Sequence, residues 1–179
     1  MRIENVVASA TLNQRIDLNA VVKGNPLVEY HPETFPGLVF RIKRPKSAIL
    51  IFSTGKMVCT GAKSEKEAKR AIKKVVRELK KSGIIILGKP EIKIVNMVAS
   101  ANLSGLIDLD GCAFTLGRTM YEPEQFPGLI YRVDEPNVVI LLFATGKLVC
   151  TGATKEEDVY EAVGNLHKRL EEKELISYE

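Results

Sequence analysis

Thr54-Gly55-Lys56-Met57-Val58-Cys59-Thr60-Gly61-Ala62 returns later in the chain as Thr145-Gly146-Lys147-Leu148-Val149-Cys150-Thr151-Gly152-Ala153. Outward from this pair, Phe35-Pro36-Gly37-Leu38 returns as Phe126-Pro127-Gly128-Leu129, and Asn5-Val6-Val7-Ala8-Ser9-Ala10 as Asn96-Met97-Val98-Ala99-Ser100-Ala101. Every match has the same offset of 91 residues, so the register survives without net insertion. A period this long exceeds the ~20–50 residues of solenoid repeats. The 179-residue chain therefore reads as a duplicated domain, repeats 1–91 and 92–179.

Each repeat shows one pattern of elements. In the first, an alternating strand covers residues 3–10 and a short helix follows around Asp17 to Val22. Strands near 38–43, 47–53 and 56–62 are separated by Phe35-Pro36-Gly37, Arg44-Pro45-Lys46 and Thr54-Gly55 turn signals. Ser64 precedes Glu65 and Glu67, and a long helix runs to about Lys81, where Gly83 stops it. The second repeat ends in a matching helix, about Lys155 to Glu172. Strands followed by one long helix predict an α+β fold, an antiparallel sheet covered on one face.

The period of two assigns the faces. Val6, Ala8 and Ala10 share a side, as do Ile49 and Ile51, and Met57, Cys59 and Gly61. The opposite side collects Asn5, Val7, Arg41, Leu50, Phe52, Lys56, Val58 and Thr60. Its counterpart in the second repeat is Asn96, Val98, Arg132, Leu141, Phe143, Lys147, Val149 and Thr151. Left uncovered, such an apolar surface marks an interaction site. The competing arrangement stacks the two faces as a sandwich with the Phe and Val side chains as core. Arg41, Lys56, Arg132 and Lys147 weigh against it, because cations turned inward between sheets need partners. The favoured reading is one continuous sheet with a repeated wet surface, suited to a partner with its own approximate two-fold symmetry, such as duplex DNA.

Charge and composition narrow the function. Hydrophobic residues are 45% and charged residues 27%, ordinary for a globular protein. No apolar run approaches the ~20 residues a bilayer span needs. Met1-Arg2 leads straight into a patterned strand with no signal-like segment, which predicts an intracellular protein. Three cysteines without a C-x-x-C spacing predict neither a disulfide framework nor a metal site. The net charge of +4 divides into +10 for residues 1–91 and −6 for residues 92–179. Such lopsidedness predicts two kinds of partner.

The paired Asn-x-Val-Ala-Ser strands, Phe-Pro-Gly-Leu turns and Thr-Gly-Lys-x-Val-Cys-Thr-Gly-Ala hairpins, with Tyr121-Glu122-Pro123-Glu124, resemble the TATA-box-binding proteins over nearly the whole length. The regular Phe35-Pro36-Gly37 turn in the first repeat resembles the archaeal branch. The resemblance implies a saddle, one curved antiparallel sheet with helices on the convex face. It implies binding and bending of A·T-rich promoter DNA from the minor groove, nucleating transcription pre-initiation assembly without enzymatic activity or cofactor. Phe35 with Phe52, and Phe126 with Phe143, then match intercalating pairs on the Pro36 and Pro127 turns. Asn5, Thr60, Asn96 and Thr151 match the groups that hydrogen-bond base edges. Val7, Leu50, Val58, Val98, Leu141 and Val149 match the apolar floor, while Arg41, Lys56, Arg132 and Lys147 match phosphate contacts. Glu122, Glu124 and Gln125 match the docking loop for general transcription factor B, and through it RNA polymerase. The location implied is the nucleoid-associated cytoplasm, away from membranes.

Other readings are weaker. Cys59 and Cys150 lack a repeated histidine and lie on the helix side, so buried core is expected rather than a nucleophile. Asp17 and Asp108 suit helix starts better than catalysis. The same fold serving as a non-specific nucleic-acid docking domain would require a catalytic domain elsewhere in the chain, and none is seen. A protein–protein scaffold gives no reason for the four Phe and two Asn to recur. The cations on the first long helix, from Lys63 to Lys81, read as a solvated surface.

Overall fold

The computed structural model describes residues 1–179. Two compact units are present, Asn5–Val95 and a second comprising Asn96–Glu179 with Met1–Glu4. The packing units and the sequence repeats differ only in short segments. One bond inside the second unit joins Ser100 Oγ to the Glu4 carboxylate at 2.8 Å.

In the first unit, β1 (Arg2–Thr11), β2 (Leu38–Lys43), β3 (Lys46–Ile51) and β4 (Lys56–Ala62) form an antiparallel array in the order β2-β3-β4-β1. Helix α1 (Leu18–Gly24) links β1 to β2, and α2 (Glu65–Lys81) follows β4. Asp17 caps α1 by accepting the amides of Asn19 and Ala20 at 3.1 and 3.3 Å. Ser64 Oγ accepts the Glu67 amide at 3.1 Å while the Glu67 carboxylate accepts the Lys63 amide at 2.8 Å, a reciprocal cap. At the other end Gly83 turns left-handed at φ 92°, and the amides of Gly83 and Ile84 close on Lys80 O and Leu79 O.

Apolar spacing makes α2 one-sided. Ala68, Ala71, Ile72, Val75 and Leu79 are wholly buried, and the helix packs on β3 and β4 over Ile49, Ile51, Met57 and Cys59. Each such aliphatic side chain stabilises the layer by about 1.5–3 kcal/mol. Ile72→Ala would lose about 2–5 kcal/mol through transfer and cavity terms.

The second unit repeats this layout. From Asn96 onward β5 (Glu91–Asn102) pairs with β10 (Lys147–Ala153), followed by β9 (Val138–Leu142), β8 (Leu129–Val133) and β7 (Thr119–Met120). Helix α3 (Leu109–Thr115) starts at Asp108, whose carboxylate accepts the Gly111 amide at 3.0 Å. Helix α4 (Glu156–Glu172) covers β10 with Val159, Ala162, Val163, Leu166 and Leu170. Its N-cap, Lys155, makes no side-chain cap, and Glu156, Glu157 and Asp158 favour the positive helix end instead. Three short strands lie outside the expected pattern: β7, and β6 (Leu106–Ile107) paired with β11 (Ile176–Ser177). No helix is long and apolar enough to cross a membrane.

One face assignment needs correction. Gly61 was expected beside Met57 and Cys59 on the buried side, yet it is exposed and Ala62 is buried instead. The cause is a β-bulge: Ala8 pairs with Cys59 but Val6 pairs with Ala62, so the strand gains a residue against its partner. Gly61 takes φ 94° and Gly152 φ 98° at the equivalent bulge, conformations that glycine adopts without strain.

Candidate nucleic-acid interface

Within each unit the helices cover one side of the sheet, and the side chains on the other form regular rows. In the first unit Val39, Leu50, Val58 and Ser9 stand in register across four strands, all half-buried. Arg41, Ala48 and Thr60 form the next row, and Lys56 lies opposite Thr11 at the rim. The second unit repeats these as Ile130-Leu141-Val149-Ser100 and Arg132-Val139-Thr151-Val98, with Lys147 opposite Asn102. Alternation places Ser9 on this face, as observed, while Val39, Ile130, Ala48 and Val139 lie outside the sequence-based site although alternation carried the same signal. A recess of about 770 Å³ opens beside Phe143, Lys147, Val149 and Ser100.

The bulge sets the chemistry of the two asparagines. An extra residue in a strand leaves its amide without a ladder partner. The Gly61 amide donates to Asn5 Oδ1 and the Gly152 amide to Asn96 Oδ1, each at 2.7 Å. Only an oxygen can accept an N–H, so these bonds fix which way each side-chain amide points. The Nδ2 groups then approach the hydroxyls of Thr60 at 3.4 Å and Thr151 at 3.3 Å. Each NH₂ carries two protons, which leaves donor capacity for an outside acceptor. Sequence reasoning selected the asparagines and threonines but missed Gly61 and Gly152, which orient them.

The aromatic residues come together as two equivalent pairs. Phe35 and Phe52 meet edge to face with centroids 5.9 Å apart, and Phe126 and Phe143 do so at 5.8 Å. Phe35 and Phe126 stay 41% and 38% exposed, so large apolar edges face solvent. The Phe-Pro-Gly turns explain why. A Cβ at Gly37 would lie 2.7 Å from the Phe35 ring and 2.9 Å from Phe52; at Gly128 the distances to Phe126 and Phe143 are 2.8 and 2.9 Å. Glycine lets the rings lie against the backbone, which props them outward. Pro36 and Pro127 are exposed beside them.

The cations differ in availability. Lys56 and Lys147 are exposed, as is Arg132, and none has an ion-pair partner. Arg41 approaches the Glu29 carboxylate at 3.5 Å. That pair is exposed, so its net strength is about 0–1 kcal/mol and it yields to a stronger anion. The position equivalent to Glu29 is Met120, which leaves Arg132 unrestrained.

Residues Glu122, Glu124 and Gln125 are exposed on a single turn, closed by the Gln125 and Phe126 amides on Glu122 O at 2.9 and 3.0 Å. Neither carboxylate makes an ion pair. In the equivalent turn of the first unit, His31 stands 4.0 Å from Glu33.

Cys59, Cys112 and Cys150 are buried free thiols, pushed up to about 11 by burial, on the side away from the open rows. No cluster of His, Cys, Asp and Glu is placed to hold a metal ion.

The chain is similar to proteins of known family along nearly its whole length. The family model described as "Transcription factor TFIID (or TATA-binding protein, TBP)" matches residues 1–82 and again 91–173. The "TATA-box-binding protein" of Pyrodictium occultum is 55% identical over 97% of this chain and 87% of its own length. That of Sulfolobus acidocaldarius is 52% identical over 98% and 89%. The solved structure "Methanococcus jannaschii TBP" superposes with a TM-score of 0.86 at 50% identity, covering 96% of this chain and 98% of the other. With both repeats matched and relatives half identical end to end, the chain belongs to the TATA-binding protein family of transcription factors.

Proposed function

We propose that the chain binds A·T-rich promoter duplex from the minor groove and bends it, so nucleating a transcription pre-initiation complex. The observation that carries this reading is the pinned orientation of Asn5 and Asn96, whose oxygens are occupied by Gly61 and Gly152. With that orientation fixed, each NH₂ keeps a donor proton for a ligand. The minor groove of A·T pairs offers only acceptors, adenine N3 and thymine O2, whereas G·C pairs add a donor amino group. Donors set among Val7, Leu50, Val58, Val98, Leu141 and Val149 therefore suit A·T. The guanine amino group would be desolvated against that floor without a partner.

The Phe pairs supply the bend. An apolar wedge between base pairs unstacks them at a few kcal/mol per step and is repaid by contact along the bent duplex. Arg41, Lys56, Arg132 and Lys147 hold phosphates without reading sequence. Four such contacts imply a log–log salt slope of about −3.6. General transcription factor B docks on the Glu122, Glu124 and Gln125 turn and brings RNA polymerase indirectly. The protein works in the nucleoid-associated cytoplasm with no cofactor and no catalytic step.

A bending assay tests the proposal. Duplexes with a central A·T-rich element should be bound and bent, and G·C-substituted controls bound weakly. Phe126→Ala with Phe143→Ala should reduce the bend while leaving the fold intact. Unchanged bending by this double variant would sink the wedge assignment.

A further inference from the structure

Helix α2 carries a feature that the minor-groove reading leaves unused. Its 17 residues hold eight cations and three anions, whereas the equivalent α4 holds two cations and six anions. Lys66, Arg70, Lys73, Arg77 and Lys80 follow i, i+4, i+7, i+11 and i+14 spacing, which puts them in one stripe. That stripe is diametrically opposite the buried Ala68, Ala71, Ile72, Val75 and Leu79. All five are exposed, and none has a carboxylate partner, since the ion pairs of α2 use Lys69 with Glu65 and Lys81 with Glu78.

The second repeat acts as an internal control for what folding requires. At the positions equivalent to the stripe it has Glu157, Glu161, Gly164, Lys168 and Glu171. The same helix on the same sheet thus forms without the cations. Like charges three and four residues apart also weaken a helix. The stripe therefore works against local stability and is not needed for the fold.

We propose that the α2 stripe is a second, sequence-independent site for duplex DNA, on the opposite side of the first unit's sheet from the Asn5 and Phe52 face. The stripe spans 14 residues, about 21 Å at 1.5 Å rise, the length of about six phosphates along one strand. A groove of about 680 Å³ beside it, lined by Arg44, Arg70, Lys73, Lys74 and Arg77 with the single carboxylate Glu67, extends the positive surface toward the β2–β3 turn. No large apolar residue of α2 is exposed. Protein partners are gripped by an apolar interface core, whereas phosphate backbones are held by cations alone, so the surface fits DNA better than an acidic protein. A duplex lying on the open face cannot reach α2 through the sheet, so the site takes a separate segment.

The test is a two-duplex titration with the full chain. Protein saturated with an unlabelled A·T-rich duplex is titrated at low salt against a fluorescent G·C-rich duplex, and anisotropy is read. The labelled duplex should bind with a log–log salt slope of about −4.5, from five cations. Lys66→Glu with Arg70→Glu and Lys80→Glu, each importing the residue α4 uses, should weaken it at least tenfold and flatten the slope by about 3. Affinity for the first duplex should stay unchanged. Amine acylation of the wild-type protein gives an independent reading: Lys66, Lys73 and Lys80 should be protected by the second duplex. No second binding event, or equal binding by the triple variant without protection, would overturn the site. So would a polyglutamate peptide that occupies the stripe where the duplex does not, which would assign it to an acidic protein. Failure of the minor-groove reading would show separately, as loss of A·T preference in the first titration.

Discussion

Asn96 Oδ1 and the amide of Gly152 are 2.7 Å apart, and Asn5 and Gly61 repeat the bond at the same length in the other unit. A backbone irregularity in β4 and β10 thereby decides which end of a side chain in β1 and β5 keeps a spare donor. The bulge amide has no ladder partner, the asparagine oxygen satisfies it, and the NH₂ is left pointing out.

This relationship makes an isosteric substitution informative. Asn5→Asp or Asn96→Asp keeps an oxygen for the glycine amide, so folding and melting temperature should be little changed. Each replaces donors with a charged acceptor facing groove acceptors. Affinity for A·T-rich duplex should fall by at least the about 1–3 kcal/mol of a base contact. Lys56→Ala and Lys147→Ala should instead weaken binding to all sequences and flatten the salt dependence. Competition titrations with A·T-rich and G·C-rich duplexes separate these behaviours; equal losses on both by the Asn variants would make the asparagines positional.

Two glycine substitutions should fail for different reasons. Gly128→Ala sets a Cβ 2.8 Å from Phe126 and 2.9 Å from Phe143, so the rings must shift while the backbone remains allowed. The expected result is reduced bending with a modest change in stability. Gly152→Ala meets nothing closer than 3.7 Å, yet φ 98° is costly for any Cβ. It should lose about 1–2 kcal/mol of stability and, through the displaced amide, disturb Asn96. Denaturant melts paired with bending assays check the distinction.

The unpaired carboxylates Glu122 and Glu124 lie in a unit whose repeat has a balance of −6. Glu122→Lys with Glu124→Lys should abolish the ternary complex with factor B and spare binary DNA binding, because these side chains belong to a turn outside the open rows. A gel-shift titration at low salt decides the matter: recruitment with unchanged affinity would remove the turn from the docking surface.

The thiols give a pH prediction. Cys59, Cys112 and Cys150 are held at about 11 by burial, against an ordinary 9.0. Between those values the unfolded chain has already released protons that the folded chain keeps. Stability from this source is therefore full below about pH 9 and falls as pH rises toward 11. Cys59→Ala with Cys150→Ala should lower the melting temperature at pH 8 through lost packing but show a shallower alkaline decline. An identical slope would mean that other groups govern the alkaline limb.

The linear sequence by itself determined the duplication, the long strands and the two long helices, the capping residues Asp17, Ser64 and Asp108, and, outside the bulges, which residues share each strand face. These follow from local periodicity and from side chains bonding to backbone two to four residues away. Tertiary structure alone decided the rest. The bulge moves Gly61 to the exposed side because strand register depends on a partner about 55 residues distant. Phe35 and Phe52 become one edge-to-face pair only because Gly37 lets two separated rings share a backbone surface. Arg41 is restrained by Glu29 and Arg132 is not, through a side-chain encounter that spacing does not encode. Short strands β6, β7 and β11 exist because each meets a partner segment, not because two residues carry a period. Alternation is a property of one strand, whereas register, ring packing and charge pairing belong to pairs of elements and arise only when the chain closes on itself.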